Sequence, residues 1–166
     1  LIVPQPGNAT RCFVFTVPEL GNGDLQVAEV DVAQNRVISS NRVLLNSVTE
    51  KLTAVPHCNG TDYWVIAHKA GSNEFAAFQV SAGGVASSPR ISAVGSRHAA
   101  GVESAGHLKA SPSGGRLAAA IFGQNALELF DFNNATGEVG NFVRLTSPAT
   151  TRAYGLEFSP SGKWLY

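Results

Sequence analysis

The sequence predicts an all-β chain of repeated four-stranded antiparallel units. Three observations predict it. First, the segment Leu108–Leu117, LKASPSGGRL, returns 48 residues later as Leu156–Leu165, LEFSPSGKWL. Second, apolar and polar residues alternate in these segments and in FAAFQV, LELFDF and LQVAEVDV, which sends side chains to opposite faces of a strand. Ser-Pro-Ser-Gly then turns the chain, because Pro has no N–H for a ladder and Gly accepts positive φ. Third, the marker prolines Pro4, Pro56, Pro112 and Pro160 are spaced 52, 56 and 48 residues apart. A strand repeat of this length is the period of a propeller blade. The expected architecture is a β-propeller whose ring is incomplete in this chain.

In chain order, Leu1–Pro4 is the first strand, Gln5–Arg11 its turn and Cys12–Val17 the second strand. After the turn-rich loop Pro18–Asp24, Leu25–Val32 and Val37–Leu45 complete blade 1, about residues 1–46. Blade 2, about 47–95, runs through Thr49–Val55, Asp62–His68, the loop Lys69–Glu74, Phe75–Val80 and Val85–Val94. The longest connection, Gly95–Gly106, leads to blade 3, about 106–147, whose outer strands are Leu127–Phe132 and Val139–Leu145. Ser147–Arg152 leads into the start of blade 4, about 153–166. No window of 11 or more residues holds a helical period. Small inner residues such as Ala54, Ala110 and Ala118–Ala120 let blades converge on an axis. Phe75, Phe78, Phe130 and Phe132 fill the wider space outside.

Length and composition narrow the function classes. A chain of 166 residues with 44% apolar and 14% charged residues is one globular domain. Twelve basic and twelve acidic residues cancel without forming a basic stripe, so nucleic acid is not an expected partner. No apolar run reaches 18 residues, so no membrane span is expected. The chain lacks methionine, begins inside a strand and stops in the second strand of a fourth unit. It therefore reads as a fragment of three and a half blades, to be completed by further blades of a parent chain or by a second copy.

The SPSG turn and the LELFDF-type third strand resemble the blades of YVTN and WD40-like propellers. The stretches LIVPQPG, FVFTV, VTEKLTAVPHCNGTDYWVIAH, SNEFAAFQV, GHLKASPSGGRLAAAIFGQNALELFDFNNATGEV and YGLEFSPSGKWLY cover most of the chain. They are similar to one group in particular, the N-terminal propellers of large secreted surface proteins of gliding Bacteroidetes. Those proteins often end in gliding-motility or type IX sorting domains. The resemblance implies a secreted or cell-surface location and a non-catalytic binding or scaffold role. The chain departs from that family in carrying neither the further blades nor a sorting domain.

Few residues form a chemical constellation. His57, His68, His98, His107, Cys12 and Cys58 show no CxxC or HxxxH spacing and scatter over different blades, so neither metal nor cofactor is expected. Two free thiols are expected, because a disulfide needs Cα atoms within about 7 Å. Gly101-Val-Glu-Ser104-Ala-Gly106 has one residue too many for a GxSxG elbow and no helix follows it. Asn8, Asn59 and Asn134 begin Asn-x-Thr triplets inside turns and read as turn formers. A propeller hydrolase of lactonase type would need carboxylates and histidines converging on the channel. The inner strands offer Glu50, Lys51, Thr53, Lys109 and Glu157. Of these, Lys109, Glu157 and Thr53 are the expected channel lining, with Lys109 and Glu157 at equivalent repeat positions where they can pair.

The longer connections should open on one face: Pro18–Asp24, Lys69–Glu74, Gly95–Gly106, Phe122–Ala126 and Ser147–Arg152. Loops on a rigid scaffold are where recognition concentrates. The ligand-binding candidates there are Arg97, His98, Glu103, His107, Lys69 and Glu74, with Arg97 and His98 foremost. A protein or a glycan is the expected partner. Catalytic residues are not expected under this reading. The alternative is the lactonase-type hydrolase with most catalytic residues outside the chain.

Overall fold

A computed structural model describes residues 1–146 and 152–166. The first sheet is β1 (Ile2–Pro4), β2 (Arg11–Thr16), β3 (Leu25–Asp31) and β4 (Arg36–Leu45), antiparallel and in sequence order. The second is β5 (Val48–Pro56), β6 (Tyr63–Lys69) and β7 (Ser72–Ser81). Its outer position is shared by β8 (Gly84–Val85) and β9 (Arg90–His98), which both pair with β7. The third is β10 (Leu108–Ala110), β11 (Arg116–Ile121), β12 (Ala126–Asn133) and β13 (Glu138–Leu145). The fold is all-β with propeller-like blades, and no ring closes within the described residues.

The SPSG repeat is realised bond for bond. Gly114 N–H donates to Ser111 O at 2.8 Å and Gly162 N–H to Ser159 O at 2.8 Å. The hydroxyls of Ser111 and Ser159 accept from Arg116 N and Trp164 N, both at 3.1 Å. Both turn glycines have positive φ, +71° and +69°, a region closed to most other residues. In the fourth unit Glu157 and Tyr166 exchange two backbone hydrogen bonds of 2.9 Å, and Phe158 bridges Leu165.

One expected strand is corrected. Val85–Val94 is interrupted, and β9 begins only at Arg90, after the Pro89 that cannot donate to a ladder. It then runs on to His98 against β7, so the long connection shrinks to residues 99–107. Among the described residues the helical elements are the 3-10 turns Glu19–Gly21, Gly101–Glu103 and Phe122–Gln124. No helix there is long and apolar enough to cross a membrane. Cys12 and Cys58 are free thiols.

The sheets pack face to face. Phe13, Phe15, Val27, Val65, Phe78 and Val80 close the first on the second. Val55, Ile66, Phe75, Leu117, Phe130 and Phe132 close the second on the third. Ala118, Ala120 and Leu156 begin a further layer over the third sheet. The three 3-10 turns meet on one face of this stack, Gly101–Glu103 touching both of the others.

Candidate functional site

Strand β5 organises the site through its alternation. Glu50, Leu52 and Ala54 face one way, and the buried Lys51, Thr53 and Val55 face the other. Glu50 opens on a cleft of about 590 Å³ walled by Pro18, Glu19, Leu20, Val102, Ala105, His107, Phe122 and Tyr154. An adjoining hollow of about 340 Å³ shares Glu50 and His107 and continues along Leu1, Leu52, Leu108 and Lys109, at the inner strands. The two meet at Glu50 and His107 and form one opening beside the inner strands β5 and β10.

The carboxylate of Glu50 is held at both oxygens. Oε1 accepts Leu20 N–H at 3.0 Å and Oε2 accepts the Tyr154 hydroxyl at 3.1 Å. The hydrogen bond to Glu50 raises the Tyr154 pKa above its ordinary value, so the phenol stays protonated at neutral pH. Tyr154 lies 5.3 Å from His107, ring to ring, and its carbonyl accepts His107 N–H at 2.9 Å. Carboxylate, phenol and imidazole thus stand together at a water-accessible mouth. Below them Gly106, at φ +117°, runs so close to β11 that a Cβ would lie 2.3 Å from the Ala120 carbonyl oxygen. Only glycine lets the wall settle that deeply.

Behind this wall, on the other face of β5, lies a buried polar cluster. His68 and His98 stack with ring centroids 3.9 Å apart, both fully buried. His98 Nε2 faces Glu128 Oε2 at 3.4 Å, and Arg144 donates to Glu128 Oε1 at 3.0 Å. Burial, with the stacked His98 ring and the charge of Lys51 beside it, holds the His68 pKa well below its ordinary value. Burial also lowers that of His98, against the pull of Glu128. Burial pushes Glu128 up, but the hydrogen bonds from His98 and Ser96 hold it below the usual carboxylate value. The ring is therefore neutral, donating from Nε2 to a carboxylate. Both nitrogens of His68 and Nδ1 of His98 lack a hydrogen-bond partner. Among the described residues no group of three or more His, Cys, Asp or Glu is placed to hold a metal ion.

The expected ligand residues are dispersed by this arrangement. His107 reaches the cleft. His98 does not; it ends β9 inside the sheet interface, which corrects its placement on an accessible loop. Arg97 is exposed, with Nε donating to Gly71 O at 2.8 Å. Glu103 turns inward to accept from Ala99 N–H at 2.9 Å and from Gln124 at 3.0 Å. Lys69 and Glu74 pair with each other at 3.2 Å. Lys109 and Glu157 form an ion pair of 2.8 Å. Thr53, expected to line a channel, is buried with Lys51 and Val55. Of the expected loop Ser147–Arg152, residues 147–151 lie outside the described residues. Arg152 sits over the Phe122 ring at 5.9 Å. Glu50 was within reach of the sequence as an inner-strand carboxylate. Tyr154, Glu128 and Arg144 carry no motif, and the alternation of LELFDF puts Glu128 on the same buried face as Phe130 and Phe132.

The comparisons bear on the fold. No protein-family model matches the sequence, and no curated protein matches it. Solved structures do. A functionally unknown protein from Desulfotomaculum acetoxidans is similar at 17% identity and TM-score 0.61, over 99% of this chain and 47% of that one. The hydrazine synthase of Kuenenia stuttgartiensis is similar at 15% and 0.57, over 97% and 53%. A candidate 6-phosphogluconolactonase from Bacteroides fragilis is similar at 12% and 0.52, over 99% and 50%. The chain spans about half the length of these structures. The shared property is the propeller-like fold, which hosts unrelated chemistries.

Proposed function

We propose that this chain forms one side of the channel mouth of a propeller hydrolase of lactonase type, acting on a small cyclic ester. The observation that carries the reading is the convergence of Glu50, Tyr154 and His107 on one opening at the inner strands. The fold shared with the candidate 6-phosphogluconolactonase from Bacteroides fragilis supports it. In this reading His107 takes a proton from the water that attacks the ester carbonyl. The ring oxygen leaves as the hydroxyl, recovering that proton. Glu50 and Tyr154 orient the substrate hydroxyls, since a carboxylate keeps free acceptor positions after two hydrogen bonds. Groups outside the chain complete the set. The test is acid release from glucono-1,5-lactone by the native polypeptide. A rate above the spontaneous background, cut about tenfold or more by His107→Ala, supports the reading; a rate at background removes it.

A second reading has its own support. Both oxygens of Glu50 are already engaged in holding Leu20 and Tyr154, and Tyr154, His107 and Phe122 offer an aromatic platform. This favours a recognition module of a secreted or cell-surface protein, with a protein or glycan docked on the loop face and further blades or a second copy closing the ring. Binding of a glycan without turnover of any ester distinguishes it.

A further inference from the structure

Lys51 is fully buried, yet all three donors of its ammonium have acceptors. Nζ donates to the carbonyls of Glu103 at 3.2 Å, Ser104 at 3.0 Å and Ala105 at 3.3 Å. These are successive residues of the connection between β9 and β10, some 50 residues away in sequence. The same segment is tied to the β5 backbone, where Glu50 N–H donates to Ser104 O at 3.2 Å. It is tied to β11 through Ala120 N–H to His107 O at 2.9 Å, and to the 3-10 turn that follows through Phe122 N–H to Ala105 O at 3.3 Å. Its side chains Val102, Ala105 and His107 wall the cleft.

We infer that Lys51 is the positioning residue of the channel mouth: by gathering the carbonyls of residues 103–105 it sets where Val102, Ala105 and His107 stand. Adjacent residues of one strand thereby serve one site from opposite faces, Glu50 within the cleft and Lys51 behind its wall. A lysine suits the position because its compact tip can meet three converging carbonyls end on, which a planar guanidinium cannot. The ammonium survives burial because Glu50, Glu103 and Glu128 lie around it. Burial lowers its pKa to about 8, still charged at neutral pH. His68 and His98, packed beside it, are neutral and add no opposing charge.

The inference rests on the cleft being the functional site, and its test separates the two. In the isotope-labelled native polypeptide, scalar couplings from the Lys51 Nζ to the carbonyl carbons of Glu103, Ser104 and Ala105 are expected; their absence overturns the inference. In Lys51→Met, amide exchange across Gly101–His107 should rise at least tenfold while that of Val65 and Phe78 in the second sheet stays unchanged. The ring resonances of His107 and Tyr154 should move with it. Unchanged exchange in that segment overturns the inference. If Lys51→Met fails to fold, the wild-type couplings decide. Glucono-1,5-lactone, if bound by the wild type, should bind the variant at least fivefold more weakly. If the wild type neither binds nor opens that lactone, the hydrolase reading fails, while the couplings and the exchange still decide the role of Lys51.

Discussion

The two sheet interfaces differ at one end. Between the first and second sheets hydrocarbon closes the contact: Phe13, Phe15, Val27, Val65 and Phe78. Between the second and third the same aromatic and aliphatic packing runs on into Lys51, His68, His98 and Glu128, all fully buried. The repeat is the same and so is the strand order. What differs is what lies above. The polar end sits beneath the loops that wall the cleft, and the Lys51 ammonium reaches up to their backbone. Burying charges is a poor way to gain stability, because desolvation consumes most of the attraction. The comparison teaches that these residues fix a geometry, while the first interface holds the fold.

Mutations can sharpen that contrast. The largest expected effect is at the hydrocarbon interface: Phe78→Ala should destabilise by about 3–5 kcal/mol through lost burial and the cavity left behind, read by urea denaturation. Glu128→Gln should cost about 3 kcal/mol, because it leaves His98 and Arg144 without their carboxylate. A loss below about 1 kcal/mol would mean that the cluster is hydrated and behaves as a surface network.

The pH dependence comes next in size. The folded pKa values of both His68 and His98 are lowered from 6.5, chiefly by burial. The unfolded chain therefore takes up protons first as pH falls below 6.5. The stability that the neutral rings contribute is complete above that pH and is lost on acidification, by up to about 1.4 kcal/mol per pH unit for each ring. Denaturation midpoints at pH 7 and pH 5 measure it. His68→Phe, which keeps a ring and removes two unpartnered nitrogens, should make the slope shallower; an equal slope would place the acid loss elsewhere. The smallest effect belongs to the Lys109–Glu157 pair, whose carboxylate is 62% exposed. Glu157→Gln should change stability by less than about 0.5 kcal/mol, and a larger loss would show that this contact anchors the fourth unit.

Much of the architecture was legible along the chain. Alternation and turn chemistry are local, so the strands, their order and the SPSG hairpins followed from LKASPSGGRL, LEFSPSGKWL and their weaker copies. Pairing Lys109 with Glu157 needed only the repeat, since equivalent positions of successive blades are neighbours in space. The sequence by itself thus determined the strand pattern and the turns, which depend on residues close together in the chain. The tertiary structure alone decided the site. It carried β9 past Val94 to bury His98, buried Thr53, and brought Tyr154 across 104 residues to Glu50. The physical reason is that burial and hydrogen-bond partners are set by which sheet face meets which. No short spacing in the sequence records that a lysine on β5 will find its acceptors in the connection before β10.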